Sequence, residues 1–156
     1  MRFIVDSNAG KLAKWLRISG FDTLFMRDID DNRLIRIALD QNRALLTKDT
    51  HILKRRVVTG GRLKVVLIEH DGVKAQLSQV LSTLNLAGQL NPFSICIECN
   101  EPLVRRDKKD VEQLVPPYVF ETQNQFMQCP GCLRVYWKGT HWERMRGELE
   151  RIAGIK

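Results

Sequence analysis

Every cysteine in the chain belongs to one of two Cys-x-x-Cys pairs, Cys96/Cys99 and Cys129/Cys132, with residues 100–128 between them. Two tight turns that each present two thiolates supply the donor set a tetrahedral zinc ion requires, and four thiolates leave no open coordination position. The ion is therefore expected to be structural. Zinc binding of ~10–16 kcal/mol would staple a module too poor in apolar residues to fold alone. The gap is longer than the commonest zinc-module spacing, so the segment between the pairs must make an excursion of its own. A thioredoxin-like role for Cys129-Pro130-Gly131-Cys132 would leave the first pair unexplained. A disulfide framework conflicts with the opening residues MRFIVDSNAG, which lack the apolar core of a secretory signal. A cytoplasmic location is expected, and His141 is not needed as a ligand.

The first ninety residues follow a different pattern, alternating strand and helix signals. Arg2–Asp6, Thr23–Met26, Ala44–Thr47 and Leu63–Ile68 read as strands. Between and after them lie amphipathic segments at Gly10–Ser19, from the acidic turn through Gln41, a short basic stretch ending near Arg56, and Gly72–Leu86. Such alternation predicts an α/β fold with a parallel sheet covered by helices, and sites in such sheets form at the carboxyl ends of the strands. Residues 1–88 are expected to form this α/β domain and 89–95 a linker. Residues 96–150 then form a zinc ribbon with a C-terminal helical tail. Phe126–Gln128 and Val135–Trp137 read as a hairpin flanking the second cysteine pair, and Pro116-Pro117 as a break.

Asp6 ends the first strand, Asp49 follows the third, and Asp28, Asp30 and Asp31 follow the second. Asp6, Asp30 or Asp31, and Asp49 are candidate catalytic acids. Asp6, Asp31 and Asp49 are candidate ligands for Mg2+ or Mn2+, hard cations that prefer oxygen donors. A cation there would activate water against a phosphodiester. Asp30 or Asp31 equally suits a helix N-cap, and Asp49 can cap the turn after it.

The charge of +7 is concentrated in the same part of the chain. Residues 1–90 hold 15 Lys+Arg against 9 Asp+Glu, and residues 91–156 hold 10 against 9. Lys11, Lys14 and Arg17 make one basic helix stripe, and Lys48, Arg55 and Arg56 flank Asp49. These are the candidate RNA contacts, because a phosphate backbone is bound through such cations. Either reading, solvated helix face or phosphate contact, fits a stripe of this kind. Phe126, Tyr136 and Trp137 suit either ribbon packing or base stacking, and Trp15 suits the core. No apolar stretch approaches a membrane span, so RNA, alone or in a ribonucleoprotein, is the expected partner. Nucleotide-binding folds are disfavoured by the lack of a glycine-rich phosphate motif.

Taken in order, FIVDSNAGKLAKWLRISGFDT (3–23), DIDDNRLIRIA (28–38), RALLTKDTHIL (43–53), CIECNEPL (96–103), PPYV (116–119) and FMQCPGCLRVYWKGTHWERM (126–145) resemble the Mut-seven C-terminal ribonuclease domain family. The resemblance implies a PIN-like sheet with an appended zinc ribbon, and strand-end acids that bind a divalent metal for RNA cleavage. It matches Asp6 and Asp49 to the family's acids, with Asp30 or Asp31 as the middle one. Two positions depart from it. Gln41 stands where related sequences often have Glu, which would leave the acid set one member short, and Lys48 stands where Arg is common. Two functions follow: a metal-dependent endoribonuclease, or a catalytically silent RNA- or ribonucleoprotein-binding adaptor.

Overall fold

The computed structural model describes residues 1–154. Four short strands, β1 (Phe3–Val5), β2 (Thr23–Phe25), β3 (Ala44–Thr47) and β4 (Val65–Leu67), form one parallel sheet in the order β2-β1-β3-β4. The expected α/β class with a helix-flanked parallel sheet is what the chain adopts. β1 and β3 are central and buried throughout, as strands covered on both faces must be.

Alternate residues of those strands feed two cores. Phe3, Val5 and Leu46 face α1 (Gly10–Ile18) and α4 (Val73–Thr83), which contribute Leu12, Leu16, Leu77 and Val80. Ile4 and Leu45 face α2 (Asp31–Asp40), whose Leu34, Ile35 and Ala38 are buried with Ile52 and Leu63. The basic stretch after β3 forms a 3-10 turn at Ile52–Lys54 and a single helical turn, α3 (Arg56–Thr59). Trp15 is half-buried against the first core.

Gly20 ends α1 with φ +95°, and a Cβ there would stand 2.2 Å from the Asn91 carbonyl oxygen. Only glycine permits that approach. The Asn91 amide also donates to the Ser19 carbonyl at 2.9 Å, so residues at the start of the expected linker lie directly on the end of α1.

The second half contains an antiparallel sheet, β5 (Val104–Arg106), β6 (Phe126–Gln128) and β7 (Val135–Trp137), in that order. The last two are the expected hairpin. Pro116-Pro117 does not simply break the chain. Pro117 occupies the first turn of a short helix, α5 (Pro117–Thr122), where a missing amide proton costs nothing. Val111, Val115, Val119 and Phe126 form the small core of this module. The final helix, α6 (Thr140–Ala153), ends at Gly154 in the left-handed region, and its Leu149 is buried in the first core beside α1 and α4 residues.

Candidate active site and metal centre

The strand order reverses between β1 and β3, and the crevice beyond their carboxyl ends is where open α/β sheets bind ligands. Asp6 follows β1 there. It is 8% exposed, its amide donates to Leu46 O at 3.2 Å, and its Oδ1 accepts from Asn8 N at 3.2 Å. The fully buried Thr47 hydroxyl donates to Asp6 Oδ2 and accepts from Asp49 N at 3.0 Å. One hydroxyl thus couples the first acid to the backbone that carries the second. Asp49 Oδ1 in turn accepts from His51 N at 2.9 Å. Thr47 was not singled out from sequence. A hydroxyl closing an otherwise apolar strand, two residues before an acid, was the available signal.

Asp30 and Asp31, interchangeable in sequence, separate in space. Asp30 is the N-cap of α2, its Oδ1 accepting from Arg33 N at 2.8 Å. Asp31 lies one step into the helix, beside the other two acids. Burial pushes its carboxyl pKa up, and so do the charge of Asp49, a hydrogen bond with Asp49 and the charge of Asp6; Arg55 pulls the other way. Asp28 is an exposed turn residue with φ 54°. Neighbouring carboxylate charge disfavours ionisation of Asp31, and a nearby cation would oppose that repulsion. Carboxylate oxygens are the donor type that Mg2+ and Mn2+ prefer. Among the described residues, only the four cysteines bring three or more donor atoms within 4.8 Å of one another, so the structure does not draw Asp6, Asp31 and Asp49 into a comparable cluster.

Gln41 does not belong to this group. It follows the far end of α2, about 15 Å along the helix from Asp31. There its Oε1 accepts from Arg43 Nε at 2.7 Å, and its carbonyl accepts from Arg2. The Arg43 guanidinium also reaches Phe3 O at 3.0 Å and Asp22 Oδ1 at 2.7 Å, all at the amino edge of the sheet. The expectation that Gln41 thins the acid set is therefore overturned, since a side chain at one edge of a sheet cannot ligate at the other.

The six basic candidates are distributed unevenly. Arg55 is close enough to act on Asp31 and donates to Asn32 Oδ1 at 2.7 Å. Lys48 pairs with the exposed Asp71 at 2.6 Å. Arg56 and Lys11 are exposed, and Lys14 stands 3.7 Å from Glu98. Arg17 is turned elsewhere. Its Nε donates to Thr23 O at 2.9 Å, and its Nη1 to Ile97 O at 2.8 Å and Glu98 O at 3.3 Å. Desolvation lowers its pKa while the charges of Cys96, Glu98, Cys99 and Asp22 raise it. It joins α1 and β2 to the first cysteine turn.

The two cysteine turns share one hydrogen-bond pattern. Cys99 N and Cys132 N each lie 3.4 Å from the sulfur three residues earlier. Asn100 N and Leu133 N each donate at 2.9 Å to the carbonyl of the leading cysteine, and both residues are left-handed, at φ 64° and 66°. The four sulfurs lie within 4.8 Å of one another, with Cys96 and Cys132 3.7 Å apart. Sulfurs around a tetrahedral zinc at ~2.3 Å are ~3.8 Å apart. The cluster can hold a metal such as zinc, and the fit is close.

Without a cation the thiols disfavour ionising together. Cys99 is pushed up to about 12, first by its hydrogen bond with Cys132. Cys132 is lowered to about 7, chiefly by the Arg134 amide. The Tyr136 hydroxyl is 3.1 Å from Cys96 Sγ, and burial followed by that contact pushes its pKa up, keeping it a donor. Asn100 ties the first turn to the sheet, donating to Asp22 Oδ1 at 2.7 Å and accepting from Thr23 N at 2.8 Å. Burial works to raise the Asp22 pKa, but hydrogen bonds from Arg43 and Asn100 outweigh it and hold that carboxylate low. His141 is exposed and outside the sulfur cluster.

No helix of the chain, among the described residues, is long and apolar enough to cross a membrane. No curated protein and no solved structure matches the sequence. A family model does: the Mut7-C RNAse domain matches residues 1–149, from the first strand through the last helix. With both halves of the chain inside a single match, the protein belongs to the Mut7-C RNAse domain family.

Proposed function

We propose that this protein is a divalent-metal-dependent endoribonuclease whose site is formed by Asp6, Asp31 and Asp49. The observation that carries this reading is the junction at the sheet's reversal point, where the Thr47 hydroxyl links Asp6 to the Asp49 backbone and Asp31 stands alongside. Mg2+ or Mn2+ bound there supplies an activated water and offsets charge on the transferring phosphoryl group. Asp6 and Asp49 would supply carboxylate oxygens to the cation. Asp31, whose pKa is raised by burial and by the neighbouring acids, is the group on which a bound cation would act most directly. Thr47 fixes the direction of the Asp6 carboxylate. Arg55 bounds the site on the α2 side, where it can meet a phosphate. Zinc in the four-cysteine cluster has no place in this chemistry and serves the fold.

The test is a time course on single-stranded and tRNA-like RNAs with Mn2+ or Mg2+ added to zinc-loaded protein. Wild type should cleave internally, and Asp6→Asn and Asp49→Asn should not, while both retain zinc and their circular dichroism. Equal cleavage by wild type and both variants would refute the assignment. Tight RNA binding with no cleavage in any metal would make the protein an adaptor instead.

A further inference from the structure

A cavity of about 510 Å³ opens between the ribbon, α5 and α6, far along α1 from the acids. Phe93, Tyr118, Tyr136, Trp137 and Trp142 line it, and no carboxylate does. The module's core is three valines and Phe126 with Phe120, Val135 and Trp137 packed against it, so of the five rings only Trp137 is used by that core. Tyr118 is 69% exposed, a large ring left in solvent at the mouth. Phe93 holds φ 68°, a left-handed conformation unfavourable for a bulky residue. It sets the ring edge-on to Trp142 at 5.6 Å. Lys138 sits 5.4 Å and 5.1 Å from the centroids of these two rings, and Arg146, paired with Glu150, lies 5.6 Å from that of Trp142.

This hollow is not isolated. A neighbouring cleft of about 740 Å³ shares Ile18, Tyr136 and Trp137 with it and continues past Trp15 to Lys14 and Lys11, with one carboxylate, Glu98, held between Lys14 and Arg134. Lys11 is in the first turn of α1, just beyond the loop that follows Asp6. The path from acids to aromatics therefore runs the length of α1, about 13 Å. Rings to receive bases, with cations at intervals to meet phosphates, are how single strands are held without sequence readout.

We infer that the cleft walled by Phe93, Tyr118, Trp137 and Trp142 binds unpaired nucleobases of single-stranded RNA, several nucleotides from the cleavage site. This rests on the reading that the chain acts on RNA, and it adds a second site that holds the strand by its bases. An apolar peptide is the competing occupant. The carboxylate-free lining of the hollow itself and the Lys138 ammonium over two of its rings favour a polyanion with flat rings.

The test uses the zinc-loaded full chain without Mg2+ or Mn2+, so that RNA stays intact. Fluorescein-labelled ten-nucleotide oligoadenylate is compared with an abasic strand of equal phosphate count, reading anisotropy and tryptophan quenching. Oligoadenylate should quench and the abasic strand should not. Tyr118→Ala, at an exposed position that spares the fold, should weaken oligoadenylate binding about 5- to 100-fold and leave the abasic strand unaffected. Lys138→Ala should weaken both. Equal affinity for the two strands in wild type would overturn the inference. So would an unchanged affinity in Tyr118→Ala, or loss of self-association rather than of RNA binding. Cleavage is scored separately with Mn2+. Quenching without cleavage would remove the ribonuclease reading and keep the cleft, and cleavage without base-dependent binding would do the reverse.

Discussion

Replacing Arg17 by Met would keep the aliphatic stem and remove the guanidinium that joins α1, β2 and the first cysteine turn. Two of its hydrogen bonds, to Thr23 O at 2.9 Å and Ile97 O at 2.8 Å, are well formed, and the third, to Glu98 O at 3.3 Å, is weaker. A hydrogen bond from a charged donor contributes ~1.5–3 kcal/mol, and two of the three contacts it leaves, to Thr23 O and Ile97 O, are part-buried. Because the side chain is only half-buried, water can reach some of those carbonyls after the change. A total of about 2–4 kcal/mol follows. For a chain of this size that corresponds to a fall in Tm of roughly 5–15 °C. Thermal melts of zinc-loaded protein, followed by tryptophan fluorescence, would measure it. The same variant separates docking from nucleic-acid contact. A docking arginine leaves the salt dependence of RNA binding unchanged, whereas a lost phosphate contact lowers the log–log slope by ~0.7 for single strands. A melt within about 1 °C of wild type, with the slope reduced by that amount, would refute the docking argument and restore Arg17 to the RNA-binding stripe.

Thr47→Val, which keeps shape and removes the hydroxyl, should lower cleavage about 10- to 100-fold, the range for groups that orient a metal ligand. The loss should appear in metal affinity when Mn2+ is titrated. Asp31→Asn should raise Tm at neutral pH in metal-free buffer. The native Asp31 pKa is raised, so stability falls as pH climbs through the window above the ordinary value of 3.8. The advantage of the variant should shrink as pH is lowered to that value, and a Tm difference independent of pH would contradict it. Elemental analysis should find one zinc per chain, and Cys99→Ser should abolish it while far-ultraviolet circular dichroism keeps much of the helical signal. Full zinc occupancy in that variant would count against a four-thiolate site.

How far the sequence could be read depended on whether structure is specified locally. Ala44–Thr47 is buried at every position, and its apolar run Ala44–Leu46 marks it as a central strand. The cysteine pairs and the hairpin around the second are equally local. β5 was invisible because Val104–Arg106 is an exposed edge strand carrying two arginines, as edges that resist further pairing often do. The helix opened by Pro117 was hidden by the same residue that starts it. Asp30 and Asp31 could not be told apart because capping and ligation demand the same side chain one position apart. Arg17 looked like its stripe partners Lys11 and Lys14. Its true surroundings come from Ile97 and Glu98, which no pattern within α1 can reveal. Gln41 misled for a related reason: helix length, not chemistry, puts it at the wrong edge of the sheet.

The burial of Leu149 beside Leu86 in the first core gives the ribbon an unusual standing within the chain. Everything between those two leucines is a closed excursion, anchored by the same hydrophobic cluster at entry and at exit. Loss of the metal would then not release a free tail. It would loosen a loop whose two ends stay fixed, so the thiolates stay near one another at high effective concentration. The entropy of rejoining them is limited by a closure already made, and each doubling of loop length adds only ~0.6 kcal/mol to such a cost. Regrouping the thiolates is accordingly an intramolecular rearrangement, and only the encounter with the ion is bimolecular. With both ends of the excursion in the sheet's own core, the parallel sheet would keep its packing whether or not the cysteines hold an ion.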